Sequence, residues 1–395
     1  MKVNVGVFFG GQSVEHEVAV ISAVQAMANI DRSQYDITPI YITKQGEMFY
    51  SPEMFDINAF KDLNLLLKGS KRVTVVKIDG AFQLIELKGG LFKKPLCSLD
   101  IAFPIMHGTN GEDGAIAGFL ELLGMPYVGC DILSAAVGMD KAVFKSVLQE
   151  QKIPVLPCVT FYAKEWVSDT DAVIKKIESR LQYPLIVKPA NLGSSVGIKK
   201  ANDADGLREA VELAMNFASK ILVEHAVEQL RELNCSVIGD MDSCETSVIE
   251  EPVMSGEILS YDDKYKGESA SKSGQKGGMT SLKRKIPAEI SEKIQQQVET
   301  YAKQTFAALG CNGVVRIDFL YDTVADTVYV NEINTIPGSL AFYLWEPKGH
   351  SYQEQLNRMI ELGFKRARTK ANLMFTYDTN ILSAGGAFGS KGVKK

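Results

Sequence analysis

Histidine is scarce in this chain, with four residues in 395 and none spaced as a ligand pair, so a zinc centre is not expected. The six cysteines, Cys97, Cys130, Cys158, Cys235, Cys244 and Cys311, make no CxxC pair. Their scattered, mostly apolar settings predict reduced core thiols of a cytoplasmic protein. No apolar run reaches the ~18 residues of a membrane span, so no membrane partner is expected. A GxxxxGK[ST] signature is missing, so a Walker-type ATPase is not indicated. The formal net charge of −5 argues against a nucleic-acid partner but leaves room for a local basic phosphate site. Residues 2–5 run straight into a strand pattern, so no signal peptide is expected.

What is present is enough for two or three domains and a sizeable core. Strand–loop–helix alternation over residues 1–130 predicts an α/β, doubly wound-like domain with a mostly parallel sheet. Its first helix is expected over 13–29, with Ser13 as N-cap. A single long helix is expected over 133–151. Residues 131–226 read as a small α+β domain and 227–370 as a second one. The Gly-, Ser- and Lys-rich stretch 264–282 cannot build a core and reads as a lid loop inside that last domain. Residues 371–395 read as an extension whose Gly- and Lys-rich end is expected to be disordered.

Four constellations carry chemistry. Arg316-Ile317-Asp318-Phe319 and Val330-Asn331-Glu332-Ile333-Asn334 read as two buried strands. A period of two puts Glu332 and Asn334 on one face with Ile333 on the other, and Arg316 beside Asp318. Asp318, Glu332 and Asn334 offer hard oxygens suited to Mg²⁺; the bland alternative is an ion pair on an exposed sheet face. Val7-Phe8-Phe9-Gly10-Gly11-Gln12-Ser13-Val14-Glu15 leads from a strand into a helix, where Glu15 could accept an ammonium group or merely cap a turn. Lys188 ends a buried strand and opens a small-residue loop, a candidate phosphate cradle rather than a plain hairpin turn. Glu224 ends another apolar strand and could accept an adenine amine, although this is a common strand–turn pattern. Pro337-Gly338 forms a tight turn next to the metal strand. The Gly338 amide and Arg316 could stabilise an oxyanion, while Ser339 and the Leu340 amide could bind a carboxylate.

In this order the motifs FFGGQSVEHEVAV (8–20), MHGTNGEDG (106–114), MDK (139–141), VKPANLGSSVG (187–197), RIDF (316–319) and NEINTIPG (331–338) resemble the D-alanine–D-alanine ligase family of the ATP-grasp superfamily. The resemblance runs from Val3 to about residue 370. It implies an ATP-grasp fold and residue roles. Glu15 would bind the ammonium of a first D-alanine, with His107 near that subsite. Lys141, Lys188 and Ser195 would face ATP, with Lys264 reaching in from the lid. Glu224 and Val227 would meet adenine, and Glu232 the ribose. Ser194 and Tyr265 would join Glu15 in a hydrogen-bonded network. Asp318, Glu332 and Asn334 would hold two Mg²⁺ ions, or Mn²⁺ in their place. Arg316 and Gly338 would stabilise the oxyanion, and Ser339 and Leu340 would hold the second substrate. A cytoplasmic homodimer acting on ATP and D-alanine, for peptidoglycan synthesis, is the expected setting.

Three departures stand out: a longer, more basic lid that lacks a second tyrosine, a shorter turn after Asn334, and His225 where a lysine is common. The alternatives are D-serine or D-lactate as second substrate, or an ATP-binding paralogue without ligase activity. By resemblance, Tyr265 favours the dipeptide over the depsipeptide.

Overall fold

The computed structural model describes residues 2–87, 95–193, 195–252 and 284–376. The first sheet contains β1 (Val3–Gly10), β2 (Tyr35–Ile42), β3 (Met48–Tyr50), β4 (Lys71–Ile78), β5 (Ala81–Glu86), β6 (Cys97–Leu99) and β7 (Ile101–Ile105) in the order β6-β5-β4-β3-β2-β1-β7. Along β1, Val5, Val7 and Phe9 enter one core cluster while Phe8 enters another, as a period of two demands.

Only β2, β1 and β7 are parallel, so the expectation of a mostly parallel sheet is corrected to a parallel centre with an antiparallel wing. The connections explain this. Asp79 and Gly80 join β4 to β5 with φ of 49° and 82°, the left-handed pair of a two-residue hairpin. So short a link leaves no room for the crossover that parallel strands need. Residues 126–129 contribute only an isolated parallel bridge between Tyr127 and Ala102.

Two helix boundaries also move. The first helix runs His16–Asn29, because the Ser13 hydroxyl is used in a turn, accepting the Glu15 N–H at 3.1 Å. The long helix splits into Ile132–Met139 and Lys141–Glu150. Asp140 makes the break: its carboxylate accepts the Ala142 and Val143 N–H groups at 3.0 and 3.1 Å and caps the second helix.

The second sheet is antiparallel, with β8 (Cys158–Tyr162), β9 (Leu185–Pro189), β10 (Lys199–Ala201) and β11 (Lys220–His225) in the order β10-β9-β11-β8. Leu185, Val187, Ile221 and Val223 pack against helices Thr170–Glu178 and Ala204–Met215. The alternate residues Ile186, Lys188 and Glu224 therefore face the other way, into a cleft.

The third sheet has β12 (Leu230–Gly239), β13 (Cys244–Pro252), β14 (Arg284–Lys285), β15 (Gly313–Asp322) and β16 (Thr327–Asn334) in the order β14-β13-β12-β15-β16. Helix Glu292–Leu309 covers its core face through Ile294, Val298, Ala302 and Phe306, spaced by four. Helix Tyr352–Ala371 joins this sheet to the first: Leu356 and Ile360 share a cluster with Val7 and Val314. Among the described residues no helix is long and apolar enough to cross a membrane.

Candidate active site

The acidic strands meet as the sequence suggests, and a bulge makes it so. Asp318 lies opposite Glu332 and Arg316 opposite Asn334, but the register shifts beyond Asp318 so that Asn331 is an extra residue on β16. Val328 and Val330 are buried in the core below. Strict alternation from them would carry Glu332 and Asn334 into that core. The bulge at Asn331 reverses the parity, sends Ile333 into the core and turns the two oxygen-bearing side chains outward.

On that face Arg316 donates to both Asp318 carboxylate oxygens at 2.6 and 2.7 Å. Asn334 Nδ2 adds a third bond to Asp318 Oδ2 at 3.1 Å. Arg316 is buried, which works against its charge, but the Asp318 carboxylate overcomes that and holds the guanidinium firmly charged. The ion pair of the bland alternative is thus real, yet it lies in a cleft rather than on an exposed face. Among the described residues no group of three His, Cys, Asp or Glu side chains gathers as a metal site. The candidate donor set is two carboxylates and an amide, all oxygen once the Asn334 amide is turned. Its charge is offset by Arg316 and by Lys141, whose Nζ lies 3.1 Å from Glu332 Oε2. Such a set fits a hard divalent cation that keeps waters and phosphate oxygens as its other ligands.

Lys141 is delivered by the break at Asp140. Its backbone N–H donates to Ala190 C=O at 2.8 Å and its Nζ to Leu192 C=O at 2.8 Å, locking the helix start to the Lys188 loop. Lys188 ion-pairs with Glu224 and donates to Asn331 Oδ1 at 3.1 Å. The other Glu224 oxygen receives Lys145. Burial would raise the Glu224 carboxyl, but Lys145 and Lys188 together bring it down to about 2. Ser195, Val227 and Glu232 line the same cleft as Lys188 and Glu224, between the second and third sheets.

At the other end, the Glu15 carboxylate sits against two loops. A Cβ on Gly108 would lie 2.7 Å from Glu15 Oε2, and one on Gly193 3.4 Å from it. Gly108 has φ +67°, so both space and backbone require glycine there. Glu15, Lys141, Glu332 and Asn334 line one small cavity, which brings the first and last motifs together.

His107 is buried, and that burial lowers its basicity. Its Nδ1–H donates to Ile336 C=O at 2.6 Å, so Nε2 accepts from the Ser22 hydroxyl at 2.8 Å. The Ser22 oxygen in turn accepts the Ser339 N–H at 2.9 Å. Glu112 clamps the same two segments: its carboxyl oxygens accept the Gly108 and Ile336 N–H groups at 3.0 and 2.9 Å. Burial, reinforced by Glu15, pushes the Glu112 carboxyl up to about 8.

Gly338 opens a tight turn, Gly338–Leu344, in which Ser339, Leu340 and Ala341 have φ of 50–52°. The Ser339 hydroxyl donates to Gln25 Oε1 at 2.8 Å, and Leu340 C=O accepts from Gln355 Nε2 at 2.7 Å. These groups anchor the turn to helices His16–Asn29 and Tyr352–Ala371, and they do not line the small cavity of Glu15 and Lys141. Ser194, Lys264, Tyr265 and the 266–281 loop lie outside the described residues.

Sequence reasoning missed Lys145, Glu112 and Ser22. Lys145 carried a readable signal: it lies four residues after Lys141, beside Phe144 and Leu148 on the buried face of its helix. Glu112 and Ser22 had none, since their partners Ile336 and Ser339 are remote in the chain.

The chain is similar to known proteins over nearly its whole length. Residues 4–130 match the family described as D-ala D-ala ligase N-terminus, and 147–361 that described as D-ala D-ala ligase C-terminus. The D-alanine–D-alanine ligase of Thermosipho melanesiensis is 40% identical over 380 residues, covering 96% of this chain and 98% of that protein. That of Acetivibrio thermocellus is 38% identical over 377 residues, covering 92% and 96%. Among solved structures, the D-alanine-D-alanine ligase of Coxiella burnetii superposes with a TM-score of 0.77 at 29% identity, covering 94% of this chain and 96% of that one. The VanG D-Ala:D-Ser ligase of Enterococcus faecalis superposes with 0.76 at 30% identity, covering 92% and 100%.

Proposed function

The chain belongs to the D-alanine–D-alanine ligase family, and we propose that it uses ATP to join two D-alanines into D-alanyl-D-alanine, releasing ADP and phosphate. The observation that carries this reading is the small cavity in which Glu15 meets Lys141, Glu332 and Asn334. An ammonium acceptor beside phosphate- and metal-binding groups is what an amino-acid carboxylate needs to reach a nucleotide.

A carboxylate is a poor acylating agent because its leaving group would be oxide. In the proposed sequence one oxygen of the first D-alanine carboxylate attacks the γ-phosphorus of ATP. The bond to ADP breaks, and an acyl phosphate forms. The neutral amine of the second D-alanine then attacks the acyl carbon, giving a tetrahedral oxyanion. That species expels phosphate and loses the amine proton as the peptide bond closes.

Each residue has a part in this scheme. Glu15 accepts the first ammonium. Lys141 and Lys188 take phosphate oxygens, in a cleft whose wall includes Val227 and Glu232 for the nucleoside. Asp318, Glu332 and Asn334 would hold Mg²⁺, which when bound supplies neutralisation of phosphate charge. Arg316, held in place by Asp318, offers its charge to the oxyanion. Glu112 and His107 keep the Gly108 and Ile336 segments together around the first-substrate end. The product suits a peptidoglycan precursor made in the cytoplasm, where ATP is at hand.

A second reading, D-serine as the second substrate, is supported by the near-equal likeness to the VanG D-Ala:D-Ser ligase. Incubation with ATP, Mg²⁺ and a panel of D-alanine, D-serine and D-lactate, with products weighed by mass spectrometry, decides. D-alanyl-D-alanine as the main product supports the first reading. A mixed D-alanyl-D-serine product supports the second, and no D-amino-acid-dependent ADP would refute both.

A further inference from the structure

Behind the nucleotide cleft lies a lysine that the reaction scheme leaves unused. Lys145 is 1% exposed and Glu224 also 1%, so the pair is sealed from water. Lys145 holds one Glu224 oxygen, and a second contact to Leu156 C=O at 3.3 Å fixes it. Lys188 holds the other oxygen. Glu224 and Lys188 form part of the cleft wall, whereas Lys145 is not among the lining residues. The three groups therefore stand in a line from the protein interior to the ligand space: Lys145, Glu224, Lys188.

That line poses a problem for phosphate binding. A carboxylate buried with a single cation as partner grips it strongly, because releasing the cation leaves an uncompensated charge away from water. If Lys188 were the only partner of Glu224, it could reach for a phosphate only by stranding that carboxylate. The carboxylate would also stand as a bare negative charge in a cleft meant for a polyanion. A second lysine that cannot itself leave removes both obstacles.

We propose that Lys145 is a positioning residue for nucleotide binding, which keeps Glu224 compensated so that Lys188 is released to the phosphates. It touches no ligand and acts through Glu224. The inference rests on the reading of this cleft as the nucleotide site.

The test compares the affinities of ADP with Mg²⁺ and of adenosine, which carries no phosphate, by isothermal titration calorimetry. In the unaltered protein ADP binds more tightly than adenosine. In Lys145→Met the ADP-to-adenosine affinity ratio falls by about tenfold or more. In Glu224→Gln, Lys188 has no carboxylate to hold it, so adding Lys145→Met to that background leaves the ratio unchanged. That comparison still decides should Lys145→Met alone fail to fold. Equal losses for both ligands in Lys145→Met, an unchanged ratio, or a further fall in the double variant would overturn the role of Lys145. If the unaltered protein shows no preference for ADP, the nucleotide reading of the cleft itself is refuted.

Discussion

Arg316 grips Asp318 with two nitrogens, Nε at 2.6 Å and an Nη at 2.7 Å, from neighbouring positions on the same face of β15. A side chain two residues away on a strand supplies this fork only because alternation sets both on one face. The pairing fixes the guanidinium and shares out the charge of a candidate metal ligand. Lysine would keep the charge but cannot bond both oxygens in one plane. Arg316→Lys is therefore expected to lower kcat by about a hundredfold or more while ATP affinity changes little. Steady-state kinetics with ATP and D-alanine varied separately checks this; a loss confined to KM for ATP would speak against the oxyanion role.

The bulge at Asn331 gives a prediction in which two changes at one position differ. Deleting Asn331 restores strict alternation, turning Glu332 and Asn334 into the hydrophobic core beside Val330. ADP formation should vanish in that variant. Asn331→Ala keeps the extra residue and removes only the 3.1 Å bond to Lys188. It should retain turnover, with a several-fold higher KM for ATP. Equal activity in the two variants would show that the bulge does not set the site.

Glu112 predicts a pH dependence of stability. Its carboxyl rises from an ordinary value of 4.5 to about 8 in the fold, mainly through burial. Between those values the folded chain binds a proton that the unfolded chain has released. The stability this group contributes is complete below about 4.5 and is lost as pH rises through about 8. Burial of His107 depresses its pKa and so gives a slope of the opposite sign, with stability present above its ordinary 6.5 and lost as pH falls below that. Comparison with a variant cancels it. Glu112→Gln should flatten the fall in unfolding free energy from pH 5 to pH 8 by a few kcal/mol, since one proton linked to folding changes stability by about 1.4 kcal/mol per pH step. Urea titrations at several pH values measure it, and parallel curves for the two proteins would contradict the assignment.

How much of this was readable in the chain depends on the range of each signal. The strands around Asp318 and Glu332, the Lys188 loop and the Glu15 turn rest on patterns within ten residues, and the structure brings their side chains together. The helix break is a local signal too, since Asp140 is a good N-cap, but uninterrupted apolar spacing masked it. The antiparallel wing was announced by Asp79-Gly80. What could not be read was long-range. Glu112 meets Ile336 across 224 residues, and Lys145 meets Glu224 across 79. The parity change at Asn331 depends on which strand lies opposite, which periodicity along one strand does not encode. The packing of the turn after Pro337 is long-range too: Ser339 meets Ser22 and Gln25 of the first helix, and the Leu340 carbonyl meets Gln355.

The central claim is that the acidic face of β15 and β16, with Lys141, is the chemical centre of a D-alanine ligase. Glu332 joins these parts, since it faces Asp318 across the strands and pairs with Lys141 at 3.1 Å. Glu332→Gln keeps the shape and removes the charge. The decisive measurement is D-alanine-dependent ADP release with Mg²⁺, the unaltered protein and Glu332→Gln side by side. Release by the former, and a loss of about a thousandfold or more in the latter, is the expected result. Near-normal release by Glu332→Gln would contradict the account.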